Sequence, residues 1–161
     1  MALVDDIIAE LKTISEAFTG VETFIFDQLS SINTNPPKLY PAILIDPNFI
    51  DINYKEWDRS FIPRRKRYDM RIFFLDTYKI AQKNSTQLKD KYGALELIAD
   101  QYIVEVLRRT ATDSSKGFDL KERDNIRGTF AFNVHNDRLV QISFRLSFEA
   151  RAECSTGTFN Y

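Results

Sequence analysis

The strongest constraint on the fold is a long run of apolar residues at helical spacing in the second half of the chain. They repeat at intervals of three and four: Leu88, Tyr92, Leu95, Ala99, Tyr102 and Val106. This spacing aligns them on one stripe and predicts a long helix from just after Asn84 to about Arg109. Ile98, Ile103 and Leu107 widen the stripe beyond a coiled-coil seam. Such a width is typical of a helix that packs on a sheet.

Other segments carry the pattern of β-strands. Apolar and polar residues alternate in three runs, at 67–75, 130–134 and 140–149. Because successive side chains of a strand point to opposite faces, each run predicts a strand with one buried face. The short turn at 135–137 makes a hairpin of the last two the simplest arrangement. A nearly continuous apolar run at 40–45, closed by a turn at 46–48, predicts a strand that is covered on both faces, although six residues do not distinguish such a strand from a buried helix.

The N-terminal segment predicts an amphipathic helix with a short strand after it, at 23–26. One stripe of that helix carries Ile7, Leu11, Ile14 and Phe18. Together the elements predict an α+β fold: a mostly antiparallel twisted sheet, packed on one face by the N-terminal helix and the long second helix. We expect a single domain over residues 1–150 and an extended C-terminal arm over residues 151–161.

The composition argues against most kinds of site chemistry. One Cys and one His among 161 residues exclude an internal disulfide and a structural zinc cluster built on these residue types. The five glycines are too scattered to form a phosphate-binding loop. His135 falls in the expected hairpin turn, and Cys154 in a polar tail whose nearest basic residue is Arg151, so neither predicts a nucleophilic site. We therefore expect no catalytic residue, no cofactor, no metal and no enzymatic activity.

The charge balance limits the possible partners. The chain has 22 basic and 23 acidic side chains and a formal net charge of -1. Contact with nucleic acid or anionic lipid would therefore need a local patch. No apolar run approaches the ~20 residues of a membrane-spanning helix, and the start of the chain is acidic where a secretion signal is basic. We expect a soluble protein without membrane contact, made in a cytoplasm.

Residues 51–66 mix charges and aromatic residues without a period, and they predict an excursion or a protruding hairpin. Four basic residues follow Trp57 and Phe61 directly: Arg64, Arg65, Lys66 and Arg67. Trp, Tyr and Arg are the usual anchors of protein interfaces, which favours contact with a partner protein. A solvated turn balanced by acidic neighbours is an equally simple interpretation. Single-strand binders combine the same residue types, so nucleic-acid binding through residues 64–67 stays open as well.

Five segments, in order, allow a comparison with known families. They are VDDIIAELKTISEAF, YPAILIDPN, RYDMRIFFLDTY, LKDKYGALELIADQYIVEVLRR and a closing hairpin that ends LVQISFRLSFEA. As helix, strand, strand, long helix and hairpin, they resemble the phage tail terminator (tail completion) proteins of the head-to-tail connector. The resemblance spans about residues 3–150 and rests on architecture and spacing rather than on invariant motifs.

The resemblance implies a structural virion protein of a tailed bacteriophage. It implies a homo-oligomeric ring of six or twelve subunits that joins the tail to the portal-side neck, with DNA passing through the lumen without sequence-specific binding. Neck, portal-adaptor and tail proteins would be its partners, and assembly would take place in the host cytoplasm. Trp57, Phe61 and the basic residues 64–67 are then candidate contacts with partners or the lumen. Phe159 and Tyr161 of the arm are candidates for the subunit interface.

Three alternatives stay open beside this interpretation. One is another neck or adaptor ring protein with the same structural needs. The second is a nucleic-acid-binding module that acts through residues 64–67, which predicts binding that weakens steeply with salt. The third is a small enzyme with a site assembled from scattered residues, which predicts a deep pocket lined by several ionisable groups.

Overall fold

The computed structural model describes residues 4–33, 39–59, 63–77, 85–112, 116–133 and 139–152. Within these ranges the elements are α1 (Val4–Ala17), β1 (Thr23–Phe26), β2 (Ala42–Trp57), β3 (Pro63–Thr77), α2 (Ser85–Thr112), β4 (Phe118–Lys121), β5 (Gly128–Asn133) and β6 (Leu139–Arg151). Two short 3₁₀ helices lie at Leu29–Asn33 and Arg123–Asn125. Neither α-helix in the described part of the chain is long and apolar enough to cross a membrane.

The strands form one six-stranded, mostly antiparallel sheet, which confirms the predicted fold class. Its order is β1-β2-β3-β6, with β1 parallel to β2. The outer edge of β6 pairs with β5 along residues 140–144 and with β4 along residues 147–150. The sequence pattern predicts β5 and β6 but not β4, because four residues with two apolar positions carry too little periodicity to be distinguished from a loop.

Both helices pack on one face of the sheet, as the one-sided alternation of the strands predicts. α2 contacts β3, β4 and β6, and α1 contacts α2 and β1. The core between them includes Leu95 and Ala99 of α2, which are 1% and 0% exposed. The Tyr102 hydroxyl donates a hydrogen bond to the backbone oxygen of Leu11, 2.6 Å away, and so joins the two helices inside the core.

A second, smaller core lies on the opposite face of the sheet. It consists of Ile32, Ala42, Leu44, Phe73, Leu75 and Leu139. Ala42 and Leu44 alternate along β2 with Ile43 and Ile45, which face the helices. Strand β2 is therefore buried on both faces over this stretch, as its continuous apolar run predicts. The 3₁₀ helix at Leu29–Asn33 packs on this second core. From Phe73 toward the start of β3, the residues on this face are polar.

Strand β2 continues past the turn at 46–48, where the sequence pattern predicts its end. Four residues of β2, Asp46–Phe49, lie opposite a single residue of β3 and form a bulge. The Asp46 carboxylate stabilises the bulge by accepting hydrogen bonds from the backbone N–H groups of Leu29, at 2.7 Å, and Asn48, at 2.8 Å. Proline has no N–H to donate to a neighbouring strand, but a bulge leaves residues unpaired and so accommodates it. The turn residues at 46–48 therefore bend β2 and do not end it.

The segment at 51–66 takes the form of a hairpin rather than a loop. β2 and β3 remain paired from Ile50 to Trp57, which lies opposite Pro63. β1 pairs with β2 only as far as Ile45. Among the described residues, the outer edge of β2 therefore has no strand beside it from Ile50 to Trp57.

Candidate partner-binding surfaces

The hairpin exposes apolar side chains on the helix side of the sheet. Ile52 and Tyr54 alternate along β2 and are each 49% exposed, while Trp57 is 58% exposed. Regular alternation would place Tyr54 and Trp57 on opposite faces. Glu56 between them has a left-handed φ of 54°, which breaks the alternation. The centroids of the Tyr54 and Trp57 rings are therefore only 6.3 Å apart. We call Ile52, Tyr54 and Trp57 the hairpin patch.

The basic residues beside the hairpin patch do not form one surface. Because β3 is a strand, Arg64 and Lys66 lie on one face and Arg65 and Arg67 on the other. The Lys66 ammonium lies over the Tyr54 ring, 5.6 Å from its centroid, in a cation–π contact. The sequence predicts a cluster of four charges, but the strand separates them into two pairs.

Arg65 and Arg67 are engaged by carboxylates. Arg65 lies 3.0 Å from Glu56 and 2.8 Å from Glu149, and the hydrogen bond with Glu149 does most to raise the pKa of its guanidinium. Arg67 lies 2.7 Å from Glu122, and a hydrogen bond to that carboxylate raises its pKa as well. Arg65 and Arg67, two of the four basic residues that could bind nucleic-acid phosphates, thus already form ion pairs with carboxylates.

A polar cleft of about 340 Å³ opens next to Arg67, on the face of the sheet away from the helices. Its lining comes from β3, β4, β6 and the segment between β4 and β5: Arg67, Lys121, Glu122, Asn125, Arg127, Arg145 and Ser147. Four of these seven side chains are cationic. Sequence reasoning missed the cleft because its residues are up to 80 positions apart in the chain. The only local signal was a cation, Arg145, at a polar position of an alternating strand.

Two of the residues that line the cleft, Arg67 and Ser147, are held by Asp69, whose side chain is 6% exposed. Its carboxylate accepts hydrogen bonds from Arg67 Nε at 2.9 Å, from Asn53 Nδ2 at 3.2 Å and from the Ser147 hydroxyl. Burial alone would raise the pKa of Asp69, but the hydrogen bonds from Ser147 and Arg67 outweigh it and hold the pKa below its ordinary value. Asp69 is therefore ionised at neutral pH.

The cleft offers positive charge and hydrogen-bond donors. Its one hydroxyl, that of Ser147, donates a hydrogen bond to the Asp69 carboxylate. In the part of the chain that the structure describes, no group of three or more His, Cys, Asp or Glu side chains is placed to hold a metal ion. What the arrangement can do chemically is bind an anion.

The outer face of α2 carries a further apolar pair. Leu97 and Val104 are 58% and 63% exposed. Seven residues apart, they lie two helical turns from each other on the face turned away from the sheet. We call them the α2 pair.

Several residues singled out by the sequence lie outside the described residues. These are Phe61; Phe159 and Tyr161 of the C-terminal arm; and the two residues weighed as nucleophilic groups, His135 and Cys154. Trp57 and the four basic residues at 64–67 are the sequence-predicted contacts that the structure places.

No model of a known protein family matches this chain, and a search of curated proteins finds no match to it.

Proposed function

We propose that this protein is a structural subunit of the head-to-tail connector of a tailed phage, a tail terminator or neck protein that assembles into a ring. It joins the tail to the portal-side neck, surrounds the DNA channel and performs no chemical reaction. The observation that most supports this function is the hairpin patch, because three large apolar side chains stand exposed on a strand whose outer edge is unpaired in the described chain.

A ring requires that each subunit present two different surfaces. Head-to-tail contacts close into a ring only when one patch fits another that is distinct from it. The hairpin patch and the β2 edge supply one such surface, and strand edges readily accept a strand from a neighbouring chain. The α2 pair is the candidate for the other. It lies on a helix that covers β3, β4 and β6, whereas the free edge belongs to β2.

The charge balance is compatible with a DNA channel. A strongly basic lumen would hold the phosphate backbone and slow its passage, because each neutralised phosphate adds to the affinity. The formal net charge of -1 provides no such global attraction. The element order that resembles tail terminator proteins, together with two separate exposed apolar surfaces, favours a connector subunit over a nucleic-acid-binding module.

The proposal is tested by measuring the molar mass of the purified protein over a concentration series by light scattering, followed by electron microscopy of the largest species. We expect a ring of defined subunit number. The variant Ile52→Ser/Tyr54→Ser/Trp57→Ser should remain folded and shift the equilibrium to the monomer, because each replaced side chain is about half exposed in one subunit.

The control is the single substitution Leu39→Ser, to be compared with Trp57→Ser alone, because each removes one apolar side chain that is 58% exposed, and Leu39 precedes β2 at the end away from the hairpin. The Leu39→Ser variant should assemble like the wild type. A wild-type protein that stays monomeric at every concentration would contradict the ring. Equal loss of assembly in Leu39→Ser and in Trp57→Ser would contradict the assigned surface.

A further inference from the structure

The open face of the sheet carries a row of arginines that the assembly proposal does not use. Arg71 of β3 and Arg145 of β6 are direct cross-strand partners. Arg127 immediately precedes Gly128, whose partner on β6 is Phe144, so it lies beside Arg145 and lines the same cleft. Like charges directly opposite each other destabilise a sheet. The row therefore has a cost in stability that an anion placed on it would offset.

These arginines have little compensation from carboxylates. Arg71 lies over the Phe49 ring, 5.7 Å from its centroid, and Arg127 donates to the Asn125 side-chain oxygen at 3.2 Å. Neither forms an ion pair with another described residue. Arg145 is 61% exposed and has one long ion pair, 3.5 Å, with a carboxylate that already accepts three shorter hydrogen bonds.

Two other carboxylates near the cleft are also engaged. Glu122 lies 2.7 Å from Arg67, and Asp119 lies 2.9 Å from Lys121 and 2.7 Å from Arg123. Among the seven lining residues, four cations, Arg67, Lys121, Arg127 and Arg145, face one carboxylate, that of Glu122. The Asp69 carboxylate also contacts Arg67 and Arg145. This local excess of positive charge occurs in a chain whose formal net charge is -1.

We propose that this cleft binds a phosphate group. Its volume of about 340 Å³ is enough for a small anionic group. The guanidinium groups of Arg127 and Arg145 and the ammonium of Lys121 come from three different segments and border one space. Together they offer more N–H donors than the two oxygens of a carboxylate can accept. A phosphate presents three or four oxygens, and arginine binds it through two parallel hydrogen bonds.

The phosphate belongs either to a small molecule or to the backbone of a nucleic acid, since the recognition chemistry is the same. Phe49, 42% exposed and beside Arg71, offers a ring on which a base of a single strand can stack. The site is independent of the proposed ring, because all its residues come from one chain and a monomer binds phosphate equally well.

The experiment compares wild-type protein with Arg127→Gln/Arg145→Gln. The matched control, Lys12→Gln/Arg108→Gln, removes the same number of positive charges from exposed positions on the two helices. Thermal unfolding is followed in sodium phosphate and in sodium chloride of equal ionic strength, and binding of inorganic phosphate is measured by titration calorimetry. A labelled oligothymidylate is titrated in parallel by fluorescence anisotropy.

We expect saturable binding of at least one probe by the wild type and the control, and a loss of at least about tenfold in affinity, ~1.4 kcal/mol, in the cleft variant. Binding of inorganic phosphate would identify a small-molecule site, and binding of the oligonucleotide alone would identify a nucleic-acid backbone. Arg127→Lys/Arg145→Lys should retain part of the binding. The proposal is overturned if the folded wild type binds neither probe, or if the cleft variant and the control bind alike.

Discussion

One carboxylate, that of Asp69, connects three strands on the open face of the sheet. It receives hydrogen bonds from Asn53 of β2, Arg67 of β3 and Ser147 of β6. A buried carboxylate is stable only when donors replace the water it has lost. In the sequence Asp69 is one of several polar residues at alternate positions of a strand. Its partners are what separate it from an ordinary surface charge.

Replacing Asp69 by Asn should make the protein less stable at neutral pH, by ~1–3 kcal/mol, because Arg67 and Ser147 lose a charged acceptor. The folded-state pKa of Asp69 lies below its value of about 3.9 in an unfolded chain. Its contribution is therefore complete above that unfolded value and is lost as the pH falls through the folded pKa. Urea midpoints measured from neutral to acidic pH should fall less steeply for Asp69→Asn than for the wild type. Parallel curves would contradict the assignment.

The buried stripe of α2 provides a second test at the scale of one side chain. Ala99 is 0% exposed, and Asp in its place would bury an unpaired charge between α2 and the sheet. We therefore expect Ala99→Asp to prevent folding. Val104 lies on the same helix and is 63% exposed, so Val104→Asp should fold normally. Circular dichroism and urea unfolding distinguish the two. Cooperative unfolding of a soluble Ala99→Asp variant would show that the core face is assigned wrongly.

At the scale of elements, the start of β5 packs closely against β6. A Cβ added to Gly128 would lie 2.7 Å from the Phe144 ring, which is 8% exposed and has little room to move. A glycine within a strand is typical of such close approach. Gly93 lies in the interior of α2, and apart from its chain neighbours and the backbone of its own helix no atom lies within 4 Å of the same added carbon.

Alanine at these two glycines should therefore have opposite effects. Gly128→Ala should lower the free energy of unfolding by ~1–3 kcal/mol, because the ring must shift within a packed core. Gly93→Ala should raise it by ~0.5–1 kcal/mol, because alanine loses less conformational freedom in a helix. Chemical denaturation of both variants gives the comparison. Effects of the same sign would show that close packing at β5 does not decide the outcome.

At the scale of the whole molecule, the proposed ring makes the C-terminal arm a further candidate contact. Residues 158–161 of this arm include two aromatic side chains, Phe159 and Tyr161, which would bury apolar area in a contact with a neighbouring subunit. Deleting residues 155–161 should leave the thermal unfolding of the monomer unchanged and weaken assembly in light scattering. If the truncated protein forms the same oligomer at the same concentration, the arm has no role in the interface.

Periodicity in the sequence was sufficient to determine α1, α2, β3 and β6, because a helix or strand pattern depends on residues a few positions apart. The one-sided alternation of the strands was also sufficient to place both helices on one face of the sheet. Leu95 and Ala99 are buried as predicted for this reason. The sequence also indicated an excursion or a protruding hairpin at 51–66, without deciding between them or giving the strand pairing.

Only the tertiary structure decided how far β2 extends, where β4 pairs and which charges meet. The Asp46 carboxylate stabilises the bulge that lets β2 continue, because it accepts a hydrogen bond from the backbone N–H of Leu29, 17 positions away. The four basic residues at 64–67 look like one patch in the sequence, yet strand alternation and acids as distant as Glu149 divide them. The cationic cleft is assembled from residues such as Arg67 on β3 and Arg145 on β6, which become neighbours because these two strands pair. Such pairings join chain positions whose separation no local pattern encodes.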